Sequence, residues 1–203
     1  MARPINIMRK ESLVNTERYH VYNRGANKID IFLDDEDRRK FLWNILHYQC
    51  DADSKPIVGV SVYALMTNHF HLAIQQLEQD GVSLYMKRVC LSYAMYFNKK
   101  YDRSGCLFAG RFKARRIHND AYFLHLTRYI HRNPIDIVGT AGLEGYQWSS
   151  YRAYIGLDKS FVITDQLAIE MFSHPSSGYK QFMRAWNPVE DLLIQEMMID
   201  NRG

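Results

Sequence analysis

The sequence predicts an α+β fold: a β-sheet with helices packed on its faces, followed by a helical C-terminal extension. Three observations carry that expectation. β-rich runs and helical-period windows follow one another in the order β-α-β-β-α-β-α. Turn and cap residues bound each of them. No internal repeat, low-complexity tract or obvious linker interrupts the 203 residues. The simplest partition is one main domain over residues 1–155 and a mostly helical extension over 156–203.

The first strand is Tyr19–Arg24 (YHVYNR), an alternating run of β-formers ending at Gly25. Asp34, Asp35 and Glu36 stand where helix starts favour acids, and Phe41, Leu42, Ile45 and Leu46 then recur at helical spacing to about Tyr48. Residues 57–66 (IVGVSVYALM) and 69–75 read as two strands joined at Thr67-Asn68 into a hairpin. A helix is expected from about Ser83 to Lys100. After the glycine-bearing turn of residues 101–110, Arg111–Ile117 alternates again. Arg111, Lys113 and Arg115 point one way, and Phe112 and Ala114 the other. Asp120 is a plausible N-cap for a helix over 121–132, which Pro134 ends near Asn133. The aromatic segment Tyr146–Tyr154 (YQWSSYRAY) and one or more helices among residues 165–199 complete the chain. Trp148, Tyr151 and Tyr154 suit either core packing or base stacking.

Composition narrows the function classes. Hydrophobic residues make up 47% and charged residues 24%, ordinary for a globular protein, and no run reaches the ~18 apolar residues of a membrane span. The basic N-terminus lacks the apolar stretch of a secretory signal. Three widely spaced cysteines (Cys50, Cys90, Cys106) form neither a zinc-ribbon pattern nor a disulfide framework, so reduced thiols and a cytoplasmic location are expected. The net charge of +4 says little, but its distribution says more. Lys87 to Arg116 holds nine lysines and arginines against Asp102 alone, as expected for a polyanionic partner.

Two constellations carry chemistry. In Asn68-His69-Phe70-His71 the histidines are i and i+2 on a strand, so both imidazoles project from one face and Phe70 from the other. Two parallel imidazoles start a divalent-metal site, though hydrogen-bonded strand histidines would leave the same mark in the sequence. No carboxylate lies in the ten residues before the pair, and the next one after it is Glu78. A closed hydrolytic zinc site is therefore unsupported locally, and phosphate oxygens would suit the open positions. The second constellation is Arg-Tyr-Ile-His-Arg-Asn-Pro (128–134). Tyr129 and Asn133 lie four apart on one helix face, while Phe123, Leu126 and Ile130 form the docking stripe. Tyr129 then sits at the edge of the buried face, and His131 points away from it. A tyrosine, a metal and a basic strand together make a coherent phosphoryl-transfer site.

The motifs TNHFHL, GRFKARRI, YFLHLTRYIHRNPIDIVG and YQWSSYRAY, in that order, resemble the single-tyrosine HUH transposases, and among them the REP-associated tyrosine transposases. The segment YHVYNRGANKIDIFLDDEDRRKFL resembles that group's first strand and helix, so the similarity spans about residues 17–155. The resemblance implies a central antiparallel sheet close to the ferredoxin or RNA-recognition arrangement. It implies His69 and His71 as metal ligands, Tyr129 as nucleophile and Asn133 in the place of a polar third ligand, where many relatives carry glutamine. The implied cofactor is Mg²⁺ or Mn²⁺. The implied activity is cleavage and rejoining of single-stranded, hairpin-containing DNA through a 5′-phosphotyrosine. Arg111, Lys113, Arg115 and Arg116 would contact the DNA backbone. The protein would act as a monomer or a homodimer, with no membrane partner. The main alternatives are a catalytically silent descendant that binds DNA or RNA hairpins, and a metal-dependent phosphodiesterase using water.

Overall fold

A computed structural model describes residues 13–165, 168 and 177–185. Its four strands are β1 (Arg18–Arg24), β2 (Val58–Leu65), β3 (His69–Gln76) and β4 (Lys113–Ile117). The helices are α1 (Asp35–His47), α2 (Gly81–Lys100), α3 (Asp120–Arg132), α4 (Ile135–Gly142), α5 (Tyr151–Tyr154) and α6 (Ser177–Arg184). The sheet order is β2-β3-β1-β4 and every pairing is antiparallel, which is the expected α+β, ferredoxin-like arrangement. Of the helices expected among residues 165–199, α6 is seen; the rest of that range lies outside the described residues, apart from helical Ala168.

Local chemistry explains the element ends. Asp34 caps α1: its side chain accepts from the Asp37 amide and the Asp37 carboxylate accepts from the Asp34 amide, a reciprocal capping box. The cap of α3 is Asn119, one residue before the expected Asp120; its side chain accepts from the Tyr122 amide. Helix α3 does end at Arg132, but the chain does not leave helical space. Pro134 provides the cap position from which α4 starts at once, since proline's fixed φ suits a helix start. At the end of β1 the backbone crowds Gly25, where a Cβ would stand 2.1 Å from the Ile29 carbonyl oxygen, so only glycine fits.

The sheet has two unlike faces. Tyr19, Val21, Phe70, Leu72 and Ile74 point toward α1 and α2 and build the larger core with Phe32, Phe41, Tyr85, Tyr93 and Phe97. On the other face Val62, Ala64 and Ala73 meet Phe123, Leu126 and Ile130 of α3. All eight residues of β2 are buried although β2 is an edge strand. Later chain covers that edge. Leu65 N donates to the Trp148 carbonyl, Ser150 N to the Tyr63 carbonyl and Thr164 N to the Val60 carbonyl. This explains the aromatic segment: Trp148, Tyr151 and Tyr154 are core residues, 9%, 4% and 2% exposed, not a base-stacking platform.

Candidate active site

Pairing of β1 with β3 sets the site. The register aligns Tyr22 with His71 and Arg24 with His69, while β4 aligns Lys113 with Tyr22 and Arg115 with His20. Residues alternate across a sheet, so His20, Tyr22, Arg24, His69, His71, Lys113 and Arg115 share the face that α3 partly covers. Small Ala64 and Ala73 adjoin His71 on this face, letting α3 approach closely.

Helix α3 brings Tyr129 to the histidines. Its ring meets His71 edge-on, with centroids 5.7 Å apart and planes at 87°. The rings of His69 and His71 are 5.1 Å apart and perpendicular. Asn133 donates through Nδ2 to the Tyr129 carbonyl at 2.9 Å, which holds its amide on the tyrosine's side of α3. The four residues singled out in the sequence therefore meet in one place, in one chain. His131 faces away as expected, buried and hydrogen-bonded to Tyr179 Oη and Ser150 Oγ, each at 2.7 Å.

Each histidine of the pair has one committed nitrogen. His69 Nδ1 is 2.7 Å from Asn68 Oδ1, and His71 Nδ1 is 2.9 Å from His20 Nε2. Burial lowers the pKa of His69, against an opposing influence of the Asn133 amide. Burial also holds His71 well below 6.5, helped by the neighbouring His20 and His69. Both rings are thus neutral at pH 7 and keep lone pairs that a cation could use. Among the described residues no group of three or more His, Cys, Asp or Glu could hold a metal. What is present is two imidazoles and the amide of Asn133. Two imidazole nitrogens and one amide oxygen could supply part of a divalent ion's shell, with the remaining positions open to water or phosphate oxygens.

The basic strand divides. Arg111 and Lys113 are exposed and Arg115 is half-buried, with Lys113 and Arg115 on the site's face. Arg116 aligns with Tyr19 on the opposite face and forms a bidentate pair with Glu17 at 2.5 and 2.9 Å. Two neighbours escaped the sequence reading: Arg24 beside His69 and His20 beside His71. The alternation of YHVYNR put them on one face, but nothing local said that this face adjoins the histidine strand.

Residues 14–133 match the family model "Transposase IS200 like". The chain belongs to the IS200-like transposase family. Among solved structures, this transposase is similar to a REP-associated tyrosine transposase bound to a REP hairpin. That match has a TM-score of 0.55 and 13% identity, covering 74% of this chain and 87% of the other. A bacterial tRNA-His guanylyltransferase-like protein in complex with GTP is matched at a TM-score of 0.41 and 15% identity, over 68% of this chain and 73% of the other. No curated protein matches. Among the described residues, no helix of this transposase is long and apolar enough to cross a membrane.

Proposed function

We propose that this transposase cleaves and rejoins single-stranded DNA carrying a hairpin, through a covalent 5′-phosphotyrosine on Tyr129. The observation that carries this reading is the placement of the Tyr129 ring against His71, with Asn133 one helical turn away and its amide bonded to the Tyr129 carbonyl. His69, His71 and Asn133 would hold the divalent ion, Mg²⁺ or Mn²⁺, which when bound polarises the scissile phosphate and neutralises its charge.

Tyr129 attacks phosphorus in line. Its phenolic O–H gives up the proton as the O–P bond forms, and the bond to the departing 3′ oxygen breaks. A free 3′-hydroxyl and a phosphotyrosine result. The 3′-hydroxyl of a second strand reverses the step and releases the tyrosine. The phosphodiester's energy is kept in the covalent link, so no nucleotide is consumed. Arg111, Lys113 and Arg115 grip the DNA backbone, with Arg24 next to His69. Arg116 would have to exchange Glu17 for a phosphate to join them. Because the tyrosine and histidine pair belong to one chain, a monomer carries a whole site, which supports a monomeric enzyme over an exchanged dimer.

The test is incubation with a 3′-labelled hairpin oligonucleotide and Mn²⁺, followed by denaturing electrophoresis. A protein–DNA adduct is expected from the native chain and none from Tyr129→Phe. An adduct on the phenylalanine variant would refute the nucleophile. Specific binding with no adduct from the native chain would make this a hairpin-binding protein instead. Binding should also weaken with salt, with a log-log slope of about −0.7 for each single-strand phosphate contacted.

A further inference from the structure

The proposed function does not use His20, yet His20 is fully buried and in direct contact with His71. Its Nε2 lies 2.9 Å from His71 Nδ1, and the two rings are nearly parallel, 12° apart with centroids at 5.1 Å. Tyr22 packs on the His20 ring at 4.9 Å. The His20 position is thus fixed by strand β1 and by Tyr22.

A contact between two neutral imidazole nitrogens holds one hydrogen, so one ring donates and the other accepts. His71 Nδ1 is committed to His20 whichever way the hydrogen lies, and Nε2 is the nitrogen left for chemistry. Nε2 can bind a cation only as a lone pair. The proton of His71 must then sit on Nδ1 and be accepted by His20 Nε2. His69 repeats the arrangement, with Nδ1 engaged by Asn68 Oδ1. Each imidazole of the pair is therefore backed by a neutral acceptor, one adjacent in sequence and the other 51 residues away. Outer acceptors of this kind orient ligating histidines and raise their basicity.

We infer that His20 is a positioning residue of the metal site, accepting the Nδ1–H of His71 and so holding His71 Nε2 as the lone pair offered to a divalent cation. This inference rests on the reading that His69 and His71 bind that cation. His20 carries its own proton on Nδ1 in this state, a buried atom with no hydrogen-bond partner. A side chain with an oxygen acceptor in the place of Nε2 should therefore substitute well.

The experiment is Mn²⁺ binding to the full chain by titration calorimetry, together with long-range ¹H–¹⁵N NMR of the Mg²⁺-loaded native protein. His20→Leu should weaken Mn²⁺ binding by about 10- to 100-fold, and His20→Gln should restore most of it. The NMR spectrum should place the His71 proton on Nδ1. Mn²⁺ affinity within twofold of native in a folded His20→Leu would overturn the proposal, as would a His71 proton on Nε2 in the loaded native protein, which needs no variant. If His69→Ala leaves Mn²⁺ binding unchanged, it is the metal reading of the proposed function that fails. If His69→Ala abolishes binding while His20→Leu does not weaken it, the His20 assignment alone fails.

Discussion

The same strands build two faces that have almost nothing in common. Toward α1 and α2, β1 and β3 present Tyr19, Val21, Phe70, Leu72 and Ile74, all at 1% exposure or less and all in one apolar core. Toward α3 they present Arg18, His20, His69 and His71, which are held by specific polar contacts, and Tyr22, whose ring stacks on His20. The first face is stabilised by area removed from water and needs no directional partner. The second is costly to bury wherever a polar group lacks one. Its partners come from far away in the chain. Arg18 makes a bidentate pair with Asp165 at 2.7 and 2.9 Å, and the same carboxylate accepts from Ser61 Oγ at 2.5 Å. On the covering helix, His131 bonds Tyr179 and Ser150. A strand alternating between the two kinds of residue is how one sheet can carry an apolar support on one side and a polar surface on the other.

That contrast can be broken from either side. The largest expected effect is on the apolar face. Phe70→Ala removes a fully buried ring between two candidate ligands and should cost about 3–5 kcal/mol of stability, read by denaturant unfolding. A loss under about 1 kcal/mol would mean that this face is not the support. Next comes Arg18→Ala, which strands the Asp165 carboxylate, fully buried, with Ser61 still donating to it. Since Arg18 keeps about a fifth of its side chain exposed, roughly 2–3 kcal/mol is expected instead of the full cost of a buried pair.

The third is a pH effect. Burial lowers the His131 pKa from 6.5 to about 3. Below pH 6.5 the unfolded chain takes up a proton that the folded chain refuses, so folding stability falls as pH drops toward 3. The slope contributed by His131 should approach about 1.4 kcal/mol per pH unit. Comparing unfolding of the native chain and His131→Phe between pH 7 and 5 isolates this contribution. An unchanged slope would refute a neutral His131. The smallest stability effect is expected at His69, which is only half-buried and lines the site. His69→Ala should move stability by less than about 1 kcal/mol while Mn²⁺-dependent adduct formation is lost. A large loss of stability with adduct formation retained would reverse the roles assigned to the two faces.

The sequence itself determined every feature that depends on period. Alternation put His69 and His71 on one side of a strand and Phe70 on the other. The four-residue spacing put Tyr129 beside Asn133 and turned His131 away. The same alternation already separated Arg115 from Arg116, although charge alone grouped them as one basic strand. Strand order was decided only by the tertiary structure. The insertion of β1 between β3 and β4 set His20 against His71 and Arg24 across from His69. Docking of the 148–150 and 164–165 segments on β2 turned Trp148 and Tyr154 into core and delivered Asp165 to Arg18. The physical reason is range. Side-chain direction follows from backbone geometry within a few residues, whereas the partner of a buried polar group is fixed by which distant strand lies alongside it.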